Sequence, residues 1–153
     1  MILDSLDTSI VHLSDGLVWC DARVISDQPG KNDGSQGLKG GSRSTMALTR
    51  VLDDAAARVT IQSPYVVLTD EALSLFAELV DRGVQVRIVT NSLASNNHAY
   101  VHAGLMRHSE NLLAAGVELY EIRADALTVT GEAPPGSDIT LTMHTKLALI
   151  DSR

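Results

Sequence analysis

The residues best suited to chemistry lie near the end of the chain, where His144, Lys146 and Asp151 form the pattern His-x-Lys-x4-Asp. In an extended segment, the two-residue side-chain period sets His144 and Lys146 on one face with Cα atoms about 6.5 Å apart. One phosphate can then touch both. A neutral imidazole can attack phosphorus while the ammonium compensates charge on the non-bridging oxygens, a nucleophilic mechanism that needs no metal or cofactor. The following Leu147-Ala148-Leu149-Ile150 reads as a buried strand. Asp151 at its end can anchor a turn or orient polar partners without touching substrate. The bland alternative has His144 capping a strand, Lys146 in solvent and Asp151 opening a turn.

The elements that must hold these residues follow from periodicity and punctuation. Residues 1–15 have partly helical apolar spacing, and 17–25 are rich in strand formers. Turn residues from Asp27 onward predict a mobile loop over 29–44. Ser44 or Thr45 caps a helix reaching about Ala57. The strand 58–63 then ends at Pro64, with Ser63 and Tyr65 at its C-terminal edge. Thr69 or Asp70 caps the next helix, which Gly83 stops before the strand 84–89. Thr90, Asn91 and Ser92 lie just past that strand, at the edge where open α/β sheets bind ligands. A longer helix over 97–115 and a strand over 117–122 complete the alternation, and a loop over 124–138 leads to residues 139–143 and the triplet. The predicted fold is α/β, a mixed and mostly parallel sheet with helices on both faces.

Composition bounds the function more loosely. The chain has 153 residues, 44% of them hydrophobic and only 3% aromatic, which suits one layered α/β domain. A formal charge of -7 disfavours nucleic acid as a partner, because broad affinity for it comes from Lys and Arg displacing counterions. Cys20, the single cysteine, has no partner for an internal disulfide and reads as a small core residue in a reducing compartment. No apolar run approaches the roughly 20 residues needed to span a bilayer, and attachment to a membrane surface stays open, by peripheral docking or through parts of a protein absent from this sequence.

The blocks Ser63-Pro64-Tyr65, Val89-Thr-Asn-Ser-Leu-Ala-Ser-Asn-Asn97, Val101-His-Ala-Gly104 and Gly116-Val-Glu-Leu-Tyr-Glu121, followed by the triplet, resemble the phospholipase D superfamily. Within it they look like the second catalytic half of bacterial cardiolipin synthases, over roughly residues 16–151. The resemblance implies a phospholipase D-like fold and phosphatidyl transfer from an anionic phospholipid through a phosphohistidine. The acceptor would be an alcohol or lipid hydroxyl, and water as acceptor would give hydrolysis. Members bring two His-x-Lys motifs to one centre, so that one His attacks and the other protonates the leaving oxygen. Which role His144 takes stays open, with leaving-group acid favoured by analogy with second-half motifs. The implied location is the bacterial cytoplasm, peripheral at the inner membrane.

This chain carries one such motif and ends at Arg153, before the Gly-Ser-x-Asn stretch of the family. The expectation is therefore a single partial domain over 1–153, whose partner is the missing second half or a second copy. Two competing readings are a homodimeric single-motif phosphodiesterase or nuclease and a non-catalytic, phosphate-binding α/β fragment. The catalytic candidates are His144, Lys146 and Asp151, and the substrate-binding candidates are Ser63, Tyr65, Asn91 and His102. For His102, packing or capping within the helix is an equal alternative. Tyr65 and Tyr120 also fit as packing residues with exposed hydroxyls. His98 and His108 read as surface residues, and the acidic residues lack the spacing of a metal centre.

Overall fold

The computed structural model describes residues 17–27, 43–134 and 136–151. The chain divides into two compact units, Met1–Ser44 and Thr45–Arg153. In the first, residues 17–27 carry no helix or strand, so the strand expected over 17–25 is not formed. Trp19 and Val24 there are 90% and 94% exposed, and strand-forming side chains without a ladder or an apolar face to cover have nothing to hold them in a sheet. Cys20, expected in a core, is exposed. The Asp27 carboxylate accepts hydrogen bonds from the backbone N–H and hydroxyl of Ser44. The helical pattern over 1–15 and nearly all of the loop expected over 29–44 lie outside the described residues, and residues 43 and 44 open a helix.

The second unit contains the alternation. Its elements are α1 (Arg43–Asp53, which begins in the first unit), β1 (Arg58–Gln62), α2 (Asp70–Asp81), β2 (Gln85–Asn91), α3 (Ala99–Ala114), β3 (Glu118–Ile122), the short α4 (Ala126–Val129) and β4 (Leu147–Ile150). Thr69 caps α2 by accepting from the Ala72 N–H. Gly83 and Gly116, at φ of 84° and 86°, make the left-handed turns that release α2 and α3 into the next strands. The four strands lie in the order β3-β2-β1-β4. β1 pairs parallel with β2 and β2 with β3, while β4 runs antiparallel beside β1. The mixed, mostly parallel α/β sheet is as expected.

Register fixes which side chains share a face. Val59 and Ile61 stand beside Val86 and Ile88. The buried cluster joins Val59, Val86 and Ile88 to Phe76, Leu79, Leu105 and Leu112 from α2 and α3. These two helices touch β2, β3 and each other. On the opposite face, Leu149-Thr60-Arg87-Glu118 and Leu147-Gln62-Val89-Tyr120 form two cross-strand rows. Leu147 and Leu149 on that face are 42% and 45% exposed.

The expected reach of the first helix to Ala57 is cut short at Asp53. The following turn is held from two sides. Arg82 donates to the carbonyls of Asp53 and Ala55 at 2.6 and 3.1 Å. The N–H groups of Ala56, Ala57 and Arg58 donate instead to the Asp151 carboxylate, so helical pairing is replaced by a tertiary contact.

Candidate active site

The three C-terminal candidates occupy two ends of one strand. β4 starts at Leu147 opposite Gln62 and ends at Ile150 opposite Val59. His144 and Lys146 therefore lie beyond the C-terminal end of β1, and Asp151 lies at its N-terminal end. The four residues of β4 put roughly 13 Å between these ends. Asp151 cannot share a phosphate with His144. Its backbone is left-handed, at φ of 48°, a region that Asp enters more readily than most residues. Its carboxylate accepts from the N–H groups of Ala56, Ala57 and Arg58 at 2.7, 2.7 and 2.8 Å, and its own N–H donates to the Arg58 carbonyl at 2.8 Å. These bonds lock the end of β4 to the start of β1.

At the other end, residues 139–146 form no ladder. Their backbone groups are held by loops and side chains. The Leu141 N–H donates to the Ala124 carbonyl at 2.8 Å. The Thr142 hydroxyl donates to the Ser95 carbonyl, and Ser95 in turn donates through its hydroxyl to the Ile122 carbonyl, both at 3.0 Å. Met143 is clamped by Asn91: the carboxamide oxygen accepts from the Met143 N–H and its NH₂ donates to the Met143 carbonyl, both at 3.0 Å. Gln62 adds a contact to the Met143 sulfur. The backbone that enters His144 is thus fixed by side chains from the ends of β1 and β2.

The His144 and Lys146 side chains meet at Tyr65. The imidazole lies edge-on to the Tyr65 ring with centroids 6.1 Å apart, and the ammonium sits 5.9 Å from the same ring centroid. Both separations are within the ranges for aromatic and cation–π attraction. Both residues are exposed, and neither has a carboxylate partner among the described residues. An unpaired cation beside an imidazole, open to solvent, is a suitable receptor for a phosphate.

The substrate-binding candidates stand in different relations to this site, and no contact among the described residues joins His102 to it. The Ser63 hydroxyl donates to the Tyr65 carbonyl at 2.9 Å, shaping the turn that presents Tyr65. Tyr65 is half-buried and its hydroxyl donates to Asn97 Oδ1 at 2.8 Å, so the phenol is tethered. Asn91 is 1% exposed and uses both carboxamide ends on Met143. His102, 8% exposed on α3, has the Glu121 carboxylate of β3 at 3.7 Å from Nε2, while its buried Nδ1 has no hydrogen-bond partner among the described residues. Sequence reasoning did not single out Asn97 for the site and read His98 as a surface residue, and His98 is exposed. The His98 ring lies 5.8 Å from that of Tyr65, and an Asn-Asn-His run directly before a helix was the signal that could have placed them at the sheet edge.

A separate charged network braces the face of the sheet opposite α2 and α3. Arg87 meets Glu118 at 2.7 Å and lies over the Tyr120 ring. The Gln85 amide and the Arg87 guanidinium hold the Glu118 carboxyl below the usual carboxylate range, and Glu118 raises Arg87 in return. Among the described residues no group of His, Cys, Asp and Glu is arranged to hold a metal, and no helix is long and apolar enough to cross a membrane.

Residues 48–153 match the family described as cardiolipin synthase, PLD-like domain. Among curated proteins, the chain is 39% identical over 117 residues to cardiolipin synthase C of Escherichia coli K12, covering 74% of this chain and 24% of that protein. It is 30% identical over 80 residues to an uncharacterized protein of Helicobacter pylori 26695, covering 52% of this chain and 16% of that protein. The chain thus spans about a quarter or less of the length of these relatives. With the site geometry and a family match over 48–153, the chain belongs to the phospholipase D-like family of cardiolipin synthases.

Proposed function

We propose that this chain is a catalytic segment of a phosphatidyltransferase acting on anionic phospholipid, with His144 and Lys146 at the reacting phosphodiester. The observation that carries the reading is the meeting of the His144 imidazole and the Lys146 ammonium on one Tyr65 ring. Lys146 balances the non-bridging oxygens as negative charge builds on them. A second His-x-Lys motif, from another segment or a second copy, completes the centre. One imidazole nitrogen forms a bond to phosphorus as the phosphorus–oxygen bond to the leaving alcohol breaks, and the other imidazolium gives that alcohol its proton. The acceptor hydroxyl then loses its proton to this second imidazole and attacks phosphorus, breaking the nitrogen–phosphorus bond. Asn91 acts through Met143, Ser63 through Tyr65 and Asp151 through the β1–β4 pairing, so these three are positioning residues. His102 braces α3 against β3. The same reading sets the protein at the surface of the bacterial inner membrane, where its lipid substrate is held.

The test is incubation of the purified protein with phosphatidylglycerol vesicles, alone and with a polypeptide supplying a second motif, followed by mass spectrometry of the lipids. Cardiolipin and released glycerol are the expected products, and an added short alcohol should be converted to its phosphatidyl ester. Cleavage of single-stranded DNA or of bis(p-nitrophenyl) phosphate with the lipid untouched would overturn the substrate class.

A further inference from the structure

Beside Tyr65 the fold leaves a pocket of about 170 Å³, lined by Ile61, Val66, Val67, Leu68, Phe76 and Ile88, with Ser63 and Tyr65 also on its wall. Its walls come from the end of β1, the following loop, α2 and β2, and apart from Ser63 and Tyr65 the side chains of these residues are hydrocarbon. Tyr65 belongs to both sites: it is one of the residues that line this pocket, and its ring meets His144 and Lys146. A molecule joining a phosphodiester to an aliphatic chain can therefore engage the cation and the pocket together. We propose that this pocket takes up the first part of an aliphatic chain of the substrate, so that the site selects a phosphodiester with an apolar tail over a wholly polar one.

The volume sets the length of chain held. A cavity of roughly 150 Å³ lined by aliphatic and aromatic side chains accommodates a six-carbon ring. A pocket of 170 Å³ thus holds about six carbons. Each methylene removed from water strengthens binding roughly fourfold. An open pocket realises part of this, and a gain of at least tenfold between a one-carbon and a six-carbon ester is expected. The polar groups nearby are already used: the Ser63 hydroxyl donates to the Tyr65 carbonyl and the Tyr65 hydroxyl to Asn97, so neither competes for the pocket. Val67 is 63% exposed, which makes it the wall residue that can be enlarged without disturbing the core.

The inference rests on the phosphodiester reading for its anchor, and the experiment separates the two. Binding of methyl phosphate, hexyl phosphate and hexanol to the purified protein is measured by calorimetry, with Val67→Trp and Lys146→Ala as variants. Hexyl phosphate should bind at least tenfold more tightly than methyl phosphate, and Val67→Trp should bring this ratio towards one. Lys146→Ala should weaken both esters while keeping the ratio. Equal affinity for the two esters in the unaltered protein, or no measurable binding of either, overturns the pocket. A chain-length ratio that persists while Lys146→Ala changes neither affinity, or hexanol binding as tightly as hexyl phosphate, supports the pocket and overturns the phosphate site.

Discussion

Asn91 and Met143 are joined by two hydrogen bonds of 3.0 Å, one from each end of the Asn91 carboxamide to the Met143 backbone. The carboxamide does for Met143 what a neighbouring strand does for a ladder residue, satisfying the N–H and the carbonyl at once. Met143 is itself 7% exposed, so the pairing is buried and directly precedes His144.

Asn91→Ala should therefore destabilise the fold and mis-set His144. Removing a partner from two buried backbone groups costs about 2–5 kcal/mol. A lowered urea midpoint, with turnover falling at temperatures where the variant is still folded, is the expected result. Asn91→Asp keeps the acceptor but sets a carboxylate against the Met143 carbonyl, and should not rescue.

Much of the frame was legible in the chain. Thr69, Gly83 and Gly116 punctuate helices and strands by local chemistry alone, and the i, i+2 spacing of His144 and Lys146 does bring both to one ring. What was not legible depends on partners far away in sequence. Ala55, Ala56 and Ala57 favour a helix by propensity, yet the turn there is set by Asp151, about a hundred residues on. Asn91 reads as a pocket residue from its place after a strand, and only the fold shows both ends of its carboxamide consumed by Met143. The residues from 17 to 25 have strand-like composition, but composition does not supply a ladder partner.

Asp151→Ala should act on stability more than on the phosphate site. Three N–H groups lose their acceptor at a partly solvated turn, for a loss of about 1–3 kcal/mol. The expected pattern is a lower melting temperature with phosphate-ester affinity little changed in the folded protein, whereas Lys146→Ala should do the opposite. Asp151→Asn, which keeps one acceptor oxygen, should fall between the unaltered protein and Asp151→Ala in melting temperature.

Tyr65 can be dissected by two substitutions. Tyr65→Phe removes only the bond to Asn97 and should lower turnover by no more than about fivefold, since one such bond contributes about 1 kcal/mol. Tyr65→Ala removes the surface on which both His144 and Lys146 rest and should lower turnover by roughly 10–100-fold, as misplaced catalytic groups do. Equal effects of the two would place the importance in the hydroxyl.

Acid should loosen the sheet through Glu118. Its folded carboxyl lies below its ordinary value of 4.5, first through the Gln85 amide and then through Arg87. The stabilisation is therefore complete above that value and is lost as pH falls below it through the folded value. Urea midpoints measured between about pH 6 and pH 3 should fall less steeply for Glu118→Gln than for the unaltered protein. Parallel curves would show that this pair does not contribute to the acid dependence.

The most direct test of the central claim is phosphatidyl transfer from phosphatidylglycerol, with the second motif supplied, for the unaltered protein and for His144→Ala at matched folded concentration. A nucleophile or leaving-group acid contributes roughly 10²–10⁴-fold, and turnover should fall by that factor with the circular dichroism spectrum unchanged. Transfer that proceeds at the same rate without the His144 imidazole would contradict the assignment of the chemistry to this site.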